Sequence, residues 1–231
     1  GATLVLRTDE MLESIPTFVE QVEEQAITLL DLPTAFWNEW VVGLKTGTLT
    51  MPSALRAIII GGEAVYPEQL AQWQRHAPNT LRLINTYGPT ETTVVATSCD
   101  LQTQSADVAQ LPIGLPLAGV NALILAAGDR PAAEGELVLL GPTLAAGYIG
   151  TEHTAFTQIA VGDQDLPAYR TGDRVRLEKG QLLYLGRMDN EFKISGYRIQ
   201  PGEVEAHLLA QPDVDEACVQ GIVYPNGVRR L

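Results

Sequence analysis

The chain has 231 residues with 45% apolar content, enough for one large domain or two smaller ones around a real core. It carries 15 basic residues against 28 acidic, a net charge of −13. That excludes non-specific nucleic-acid binding through a basic surface, though not one nucleotide in a pocket. No run approaches the roughly 18–20 apolar residues that span a bilayer. The start, Gly1-Ala2-Thr3-Leu4-Val5, has no basic region or cleavage signature, so a cytoplasmic protein is expected, without a membrane or nucleic-acid partner. The chain also lacks an initiator Met and reads as a piece of a longer one.

Residues 3–7 read as a short strand. Ile15, Phe18, Val19 and Val22 recur at three- and four-residue spacing, which predicts a helix capped by Ser14 and opened by Pro16. Residues 26–30 read as the next strand. Pro33-Thr34 then opens an aromatic-rich helix over 35–42, holding Phe36, Trp37 and Trp40. Trp40 reads as core packing, while residues 34–37 sit at a helix start after a strand, where small-molecule pockets of α/β folds open. Strand 55–60 ends in Gly61-Gly62-Glu63, a helix runs from Pro67 to about His76, and strand 81–84 follows. This alternation predicts parallel strands with right-handed crossovers.

The loops at 61–63 and 85–91 emerge from the strand ends where ligands bind in such sheets. The second belongs to NTYGPTETT (85–93), which sits between an apolar strand and the β-prone run 94–97 and carries an amide, a phenol, hydroxyls and one carboxylate. It is either a polar β-turn between core strands or a wall of a nucleotide–magnesium site. Gly88 lets a ligand or another backbone come close.

After about residue 100, β-like runs at 120–126, 136–140, 174–178 and 181–185 predict a small all-β subdomain, a distorted barrel. Beyond Asp189, a strand at 192–194, a loop at 196–202, a helix at 203–210 and a strand at 216–223 read as the start of another α+β domain. The expected division is 1–100, 101–188 and 189–231. Cys99 and Cys218 each read as a buried thiol in a reducing compartment, and the three scattered histidines receive no role.

Three further places could carry chemistry. In YRTGD (169–173), Asp173 follows a glycine turn and either accepts two hydrogen bonds from a ribose diol or caps its own backbone. Arg187 suits ribose oxygens or phosphate, or it forms a surface pair with Asp189. Asp189 lies where composition shifts and can absorb a rotation between domains. Glu136 and Gly147-Tyr148 read as a strand start and the close of the following loop, both structural.

Together these segments resemble the adenylate-forming enzymes, and within them the adenylation domains of nonribosomal peptide synthetases. NTYGPTETT (85–93) matches N-x-Y-G-P-T-E, and GELVLLGPTLAAGY (135–148) is similar to G-E-L-x-x-x-G-x-x-x-A-x-G-Y. YRTGD (169–173) matches outright. GRMDNEFKISGYRIQPGEVE (186–205) is similar to G-R-x-D-x-x-V-K-I-R-G-x-R-I-E-x-G-E-I-E. The matches keep the family's order and cover nearly the whole chain. The resemblance implies an α/β fold: a parallel-sheet subdomain, a small distorted β-barrel and the start of a mobile α+β C-terminal domain.

It also implies a reaction. A carboxylic acid attacks the α-phosphate of ATP to give an acyl-adenylate and pyrophosphate, and the acyl group passes to the phosphopantetheine thiol of a peptidyl carrier protein beside neighbouring synthetase modules. By the same resemblance Tyr87 stacks on adenine, Asn85 hydrogen-bonds its amino group, and Gly62, Glu63 and Ala64 line its other side. Thr90 contacts the α-phosphate, Glu91 holds Mg²⁺, Asp173 binds the ribose hydroxyls with Arg187 assisting, and Asp189 is the hinge. The acid's pocket is lined by Ile59, Gly61, Thr86, Val94 and Val95, with Thr34 and Phe36 nearby, and suits an uncharged, bulky apolar or aromatic side chain.

The departures bear on activity. The phosphate loop and the pocket aspartate belong before Gly1, and the C-terminal lysine belongs beyond Leu231, so this chain alone is expected to be nearly inactive. Asn226-Gly227-Val228 echoes an N-G-K segment without its lysine. Ala146, Ser195 and Gln200 replace the family's commoner residues and put thiolation, more than the adenine site, in question. The rival readings are an acyl- or aryl-coenzyme A ligase and a non-catalytic nucleotide-binding remnant.

Overall fold

The computed structural model describes residues 1–150, 154–189, 191–194, 197–211, 213–224 and 229–230. They divide into two compact units, Gly1–Asn85 with Asp100–Leu111, and Thr86–Cys99 with Pro112–Leu231.

The first unit begins without regular structure. Residues 3–7, expected as a strand, have no ladder partner, and Leu4 and Leu6 stay exposed. Helix α1 (Ile15–Glu24) starts as expected, with Ser14 Oγ accepting from the Thr17 N–H at 3.2 Å. It ends through Ala26, which takes the left-handed conformation while the Ile27 N–H donates back to the Val22 carbonyl at 3.0 Å. That cap uses up residues 26 and 27, so the strand expected at 26–30 forms later, as β1 (Leu29–Pro33).

Helix α2 (Thr34–Thr46) follows directly and stops at Gly47 in the left-handed region. Strand β2 (Ala57–Gly61) pairs with β1 in parallel, helix α3 (Pro67–His76) follows, and β3 (Arg82–Tyr87) then lies beside β2. Trp37, Trp40 and Trp73 are fully buried, with Trp37 and Trp40 each packed on Trp73 at 5.8 and 6.3 Å between ring centroids. Trp73 also donates to Gln102 Oε1 at 3.2 Å, and the Gln74 amide donates to the carbonyls of Leu101 and Gln104. These bonds fasten the returning segment 100–104 to α3.

In the second unit the strands are β4 (Thr97–Asp100), β5 (Pro112–Pro116), β6 (Asn121–Ala126), β7 (Arg130–Pro131), β8 (Glu134–Leu140), β9 (Phe156–Val161), β10 (Gln164–Glu178) and β11 (Gln181–Arg187). They pair in the order β4-β5-β11-β10-β8-β6-β7, with β9 also on β10, and each of these pairs is antiparallel. The expected barrel is therefore an open sheet among the described residues: no ladder joins β7 back to β4.

Strand β8 shows why this sheet is stable. Leu137 and Leu139 enter one core with Ala96, Ile113, Val175 and Leu182, and Val138 and Leu140 enter another with Leu125, Ile159 and Ala168. Period-two alternation thus buries a continuous apolar run on both faces.

Short strands β12 (Phe192–Ile194) and β13 (Tyr197–Ile199) pair, and helix α4 (Pro201–Leu209) follows. The loop expected at 196–202 is, over its described part, strand and helix start; Ser195 and Gly196 lie outside the described residues. Of the strand expected at 216–223 only β14 (Ile222–Val223) forms, paired with β15 (Arg229–Arg230), and Asn226-Gly227-Val228 is outside the described residues. Cys99 is buried, with its thiol on Gln181 Oε1 at 3.3 Å. Cys218 is exposed, against expectation, because its segment belongs to no strand or helix.

Candidate functional site

Residues 85–87, read as loop from sequence, are the last residues of β3. The chain then makes one 3₁₀ turn at Thr90–Thr92, and the run expected to be extended from Val94 starts its strand only at Thr97. Thr93 and Val94 instead take left-handed backbone, φ 60° and 69°. That conformation is uncommon for β-branched residues and costs on the order of 1–3 kcal/mol each.

Hydrogen bonds hold the turn in this shape. The Val95 N–H donates to the Thr93 carbonyl, the Ala96 N–H to the Tyr87 carbonyl, both at 2.8 Å, and Thr93 Oγ1 to the Thr143 carbonyl at 2.7 Å. Val94 is consequently exposed. The close neighbour that Gly88 admits is backbone: a Cβ there would stand 2.5 Å from the Val94 carbonyl oxygen and 2.7 Å from the Ala96 nitrogen. Gly88→Ala is expected to cost about 1–3 kcal/mol through this overlap, read as a lowered denaturant midpoint at unchanged m-value.

Asp173 does not follow a turn before a strand. It lies inside the single long strand β10, whose register against β8 shifts between Arg170 and Arg174. Gly172, at φ +68°, makes the bulge possible. Thr171 Oγ1 donates to the Leu137 carbonyl at 2.7 Å and accepts the Asp173 N–H at 3.0 Å, which locks the bulge to β8. Glu136 belongs to the same device: its carboxylate accepts from Arg170 at 2.5 Å and from the Gly172 N–H at 3.2 Å, in line with its structural reading.

The bulge brings three separated motifs together. The Tyr87 hydroxyl donates to Asp173 Oδ2, although the residues are 86 positions apart. Arg187 Nη1 donates to Asp173 Oδ1 at 3.2 Å and to the Thr171 carbonyl at 2.5 Å. Its Nε and Nη2 engage Asp189 at 2.8 and 2.5 Å, and Nη2 engages Glu191 at 2.7 Å.

Burial sets the electrostatics. It pushes the Asp173 carboxyl above the usual carboxylate range, against the Tyr87 hydroxyl and the Arg187 charge. Burial, then the Asp173 charge, pushes the Tyr87 phenol well up. For Arg187 burial works downward, but Asp189, Asp173 and Glu191 outweigh it and hold the guanidinium above its ordinary value. The Tyr87 ring lies 6.2 Å from that of Tyr184.

Glu91 is buried and accepts from the Tyr148 hydroxyl. Thr90 beside it is exposed, and Thr86 and Val95 are half-buried. One oxygen-bearing carboxylate suits a magnesium ion that keeps water and phosphate oxygens as its other ligands. No group of three or more His, Cys, Asp or Glu forms a metal cage among the described residues.

The other expected residues lie in the first unit, apart from buried Asn85 at its boundary. Thr34 Oγ1 donates to the carbonyls of Gly61 and Glu63 at 3.1 and 3.3 Å, fixing the start of α2 at the end of β2. Ile59 and Phe36 are half-buried, Phe36 edge-on to Phe18 at 4.9 Å, and Gly62 and Ala64 are exposed. Sequence reasoning missed Thr171, Glu191 and Tyr148 as neighbours of the site. Tyr148 and Thr171 have partners far along the chain, while Glu191, four residues after Arg187, could have been found from its spacing to that guanidinium.

This architecture is shared with enzymes that form adenylates. Holo-PA1221, an NRPS protein containing adenylation and PCP domains bound to a vinylsulfonamide inhibitor, superposes with a TM-score of 0.83 at 28% identity, over 92% of this chain and 37% of that one. The chain belongs to the AMP-binding enzyme family, whose model matches residues 1–149.

Among its relatives, the isonitrile lipopeptide synthase of Streptomyces coeruleorubidus is 47% identical over 100% of this chain, and tyrocidine synthase 3 of Brevibacillus parabrevis is 35% identical over the same share. The chain spans 15% and 4% of their lengths. No helix among the described residues is long and apolar enough to cross a membrane.

Proposed function

We propose that this chain is part of an adenylation domain that activates an amino acid, or a related carboxylic acid, for nonribosomal peptide synthesis. The observation that carries this reading is that Tyr87 and Arg187, from two other motifs, both donate to Asp173 at the bulge of β10. Asp173 accepts the two ribose hydroxyls once its present donors yield. Tyr87 offers its ring to adenine. Thr90 contacts the α-phosphate.

Magnesium, when bound at Glu91, supplies positive charge beside the phosphates. A carboxylate oxygen of the acid attacks the α-phosphorus as the bond to pyrophosphate breaks, so the chain's residues align and stabilise charge rather than form a covalent intermediate. The acyl group then leaves AMP for the phosphopantetheine thiol of a carrier protein. The mobile part starts at Asp189, after the subdomains expected at 1–100 and 101–188. In the first unit, Ile59, Gly61, Thr34 and Phe36 are the residues offered to the acid.

In the test, the protein carrying these residues exchanges labelled pyrophosphate into ATP with one acid from a panel of amino, aryl and keto acids. No exchange with any acid, together with no ATP binding, sinks the reading. Acyl transfer to free coenzyme A in preference to a carrier protein turns it into a coenzyme A ligase.

A further inference from the structure

We propose that Tyr148 is a positioning residue for the Glu91 carboxylate, setting its orientation toward a magnesium–nucleotide complex; this rests on the function proposed above. Tyr148 belongs to a segment that reads from sequence as the mere close of a loop. In the fold its hydroxyl donates to Glu91 Oε1, 57 residues away. Tyr148 is 39% exposed as a residue, yet its hydroxyl is turned onto the carboxylate of Glu91, a residue only 8% exposed. A hydrogen bond from O–H to an ionised acceptor is short, strong and directional.

Two further bonds bring the loop to this place. The Ala145 N–H donates to the Glu91 carbonyl at 2.8 Å, and Thr93 Oγ1 donates to the Thr143 carbonyl at 2.7 Å. The ring itself is braced. Tyr148 stands edge-on to Phe156 at 5.5 Å and 72°, and Phe156 packs on Tyr169 at 5.0 Å. Tyr169 is 2% exposed and lies in β10 just ahead of the bulge that carries Asp173. The carboxylate and the Asp173 bulge are thus both referred to one buried ring.

The physical need is clear. The last torsion of a glutamate is broad, so an unsupported carboxylate turns freely about it. Magnesium demands near-ideal octahedral geometry and is held by few carboxylates. A donor on one oxygen fixes the carboxylate plane, as outer-shell partners do for ligands generally, and removing such a partner costs about 10–100-fold in metal affinity.

The test is equilibrium ATP binding to the protein carrying these residues, titrated with Mg²⁺ and repeated in its absence. For Tyr148→Phe the Mg²⁺ midpoint is expected to rise about 10-fold while Mg²⁺-free ATP binding stays at the wild-type value. Phe156→Leu, which keeps the hydroxyl and removes its brace, is expected to give a smaller rise. An unchanged or lowered midpoint in Tyr148→Phe overturns the proposal, and so does an equal loss of Mg²⁺-free binding, which would mean that the phenol only holds the loop. If the wild type itself binds ATP without any response to Mg²⁺, the assignment of Glu91 falls and this inference with it. A Mg²⁺-responsive wild type with the same Mg²⁺ midpoint in Tyr148→Phe removes the inference alone.

Discussion

Asp173→Ala is expected to weaken binding of AMP, or of a non-hydrolysable acyl-adenylate analogue, on the order of 100-fold in a calorimetric titration. Under the proposed ribose assignment, the substitution removes two hydrogen bonds donated by the ribose hydroxyls to a charged acceptor, each worth roughly 1.5 kcal/mol or more, and each 1.4 kcal/mol is tenfold in affinity. It also removes Asp173 as acceptor for the Tyr87 hydroxyl and for Arg187 Nη1, which keeps the Thr171 carbonyl. Asp173→Asn is therefore the control: it keeps the shape of the side chain and one acceptor oxygen. Wild-type affinity in Asp173→Ala would remove the ribose assignment.

The same residue gives a pH signature. Burial first, opposed by Tyr87 and Arg187, raises the Asp173 pKa above its unfolded value. Its share of stability is therefore present below the unfolded pKa and is lost as pH rises through the folded one. The proposed ribose contact needs the ionised carboxylate, so affinity is expected to move the other way, growing as pH rises through that raised pKa. Opposite slopes of stability and affinity in the wild type, both absent from Asp173→Ala, are the expected result. Parallel slopes would mean that another group governs the titration.

Gly114→Ala is expected to be the most damaging single methyl in the second unit. Gly114 lies in β5 at φ +87°, and a Cβ there would come 1.9 Å from the Ser98 carbonyl oxygen and 2.8 Å from the Cys99 Cβ. The first obstacle is backbone in the neighbouring strand β4, so no rotamer change relieves it. A left-handed conformation costs an L-residue roughly 1–2 kcal/mol, and overpacking adds about 1–3 kcal/mol. The sum, about 2–5 kcal/mol, is a large share of the roughly 5–15 kcal/mol that holds a domain folded. Thermal unfolding followed by circular dichroism reads the effect, and an unchanged melting temperature would mean that the two strands part easily.

Much of this fold is legible because its causes are local. Ser14 announces a helix start by its own side-chain chemistry, and Pro67 does the same for α3. The apolar runs of β2 and β8 mark buried strands whatever surrounds them. The errors have equally specific causes. Residues 3–7 have strand-forming composition, but a strand exists only with a partner. Ala26 and Ile27 look extended, yet they complete the cap of α1. The long strand β10 was legible only in its second half, because Gly172 reads as a break whereas the fold makes it a bulge within continuous pairing.

The candidate site divides in the same way. The motifs point to Tyr87, Glu91, Asp173, Arg187 and Asp189 as chemistry-bearing residues, since amide, phenol, carboxylate and guanidinium groups beside glycines are visible in one dimension. Their partnerships are not visible, because hydrogen bonds between residues 86 or 57 positions apart depend on strand order and register. By itself the sequence determined the kind of fold, the family and the set of reactive groups, through local propensity and ordered motifs. Only the tertiary structure decided that Gly88 makes room for backbone, that a bulge aims Asp173 at Tyr87, and that Tyr148 reaches Glu91. Such contacts are set by the sheet's register and the shapes packed against it, which no single segment of the chain encodes.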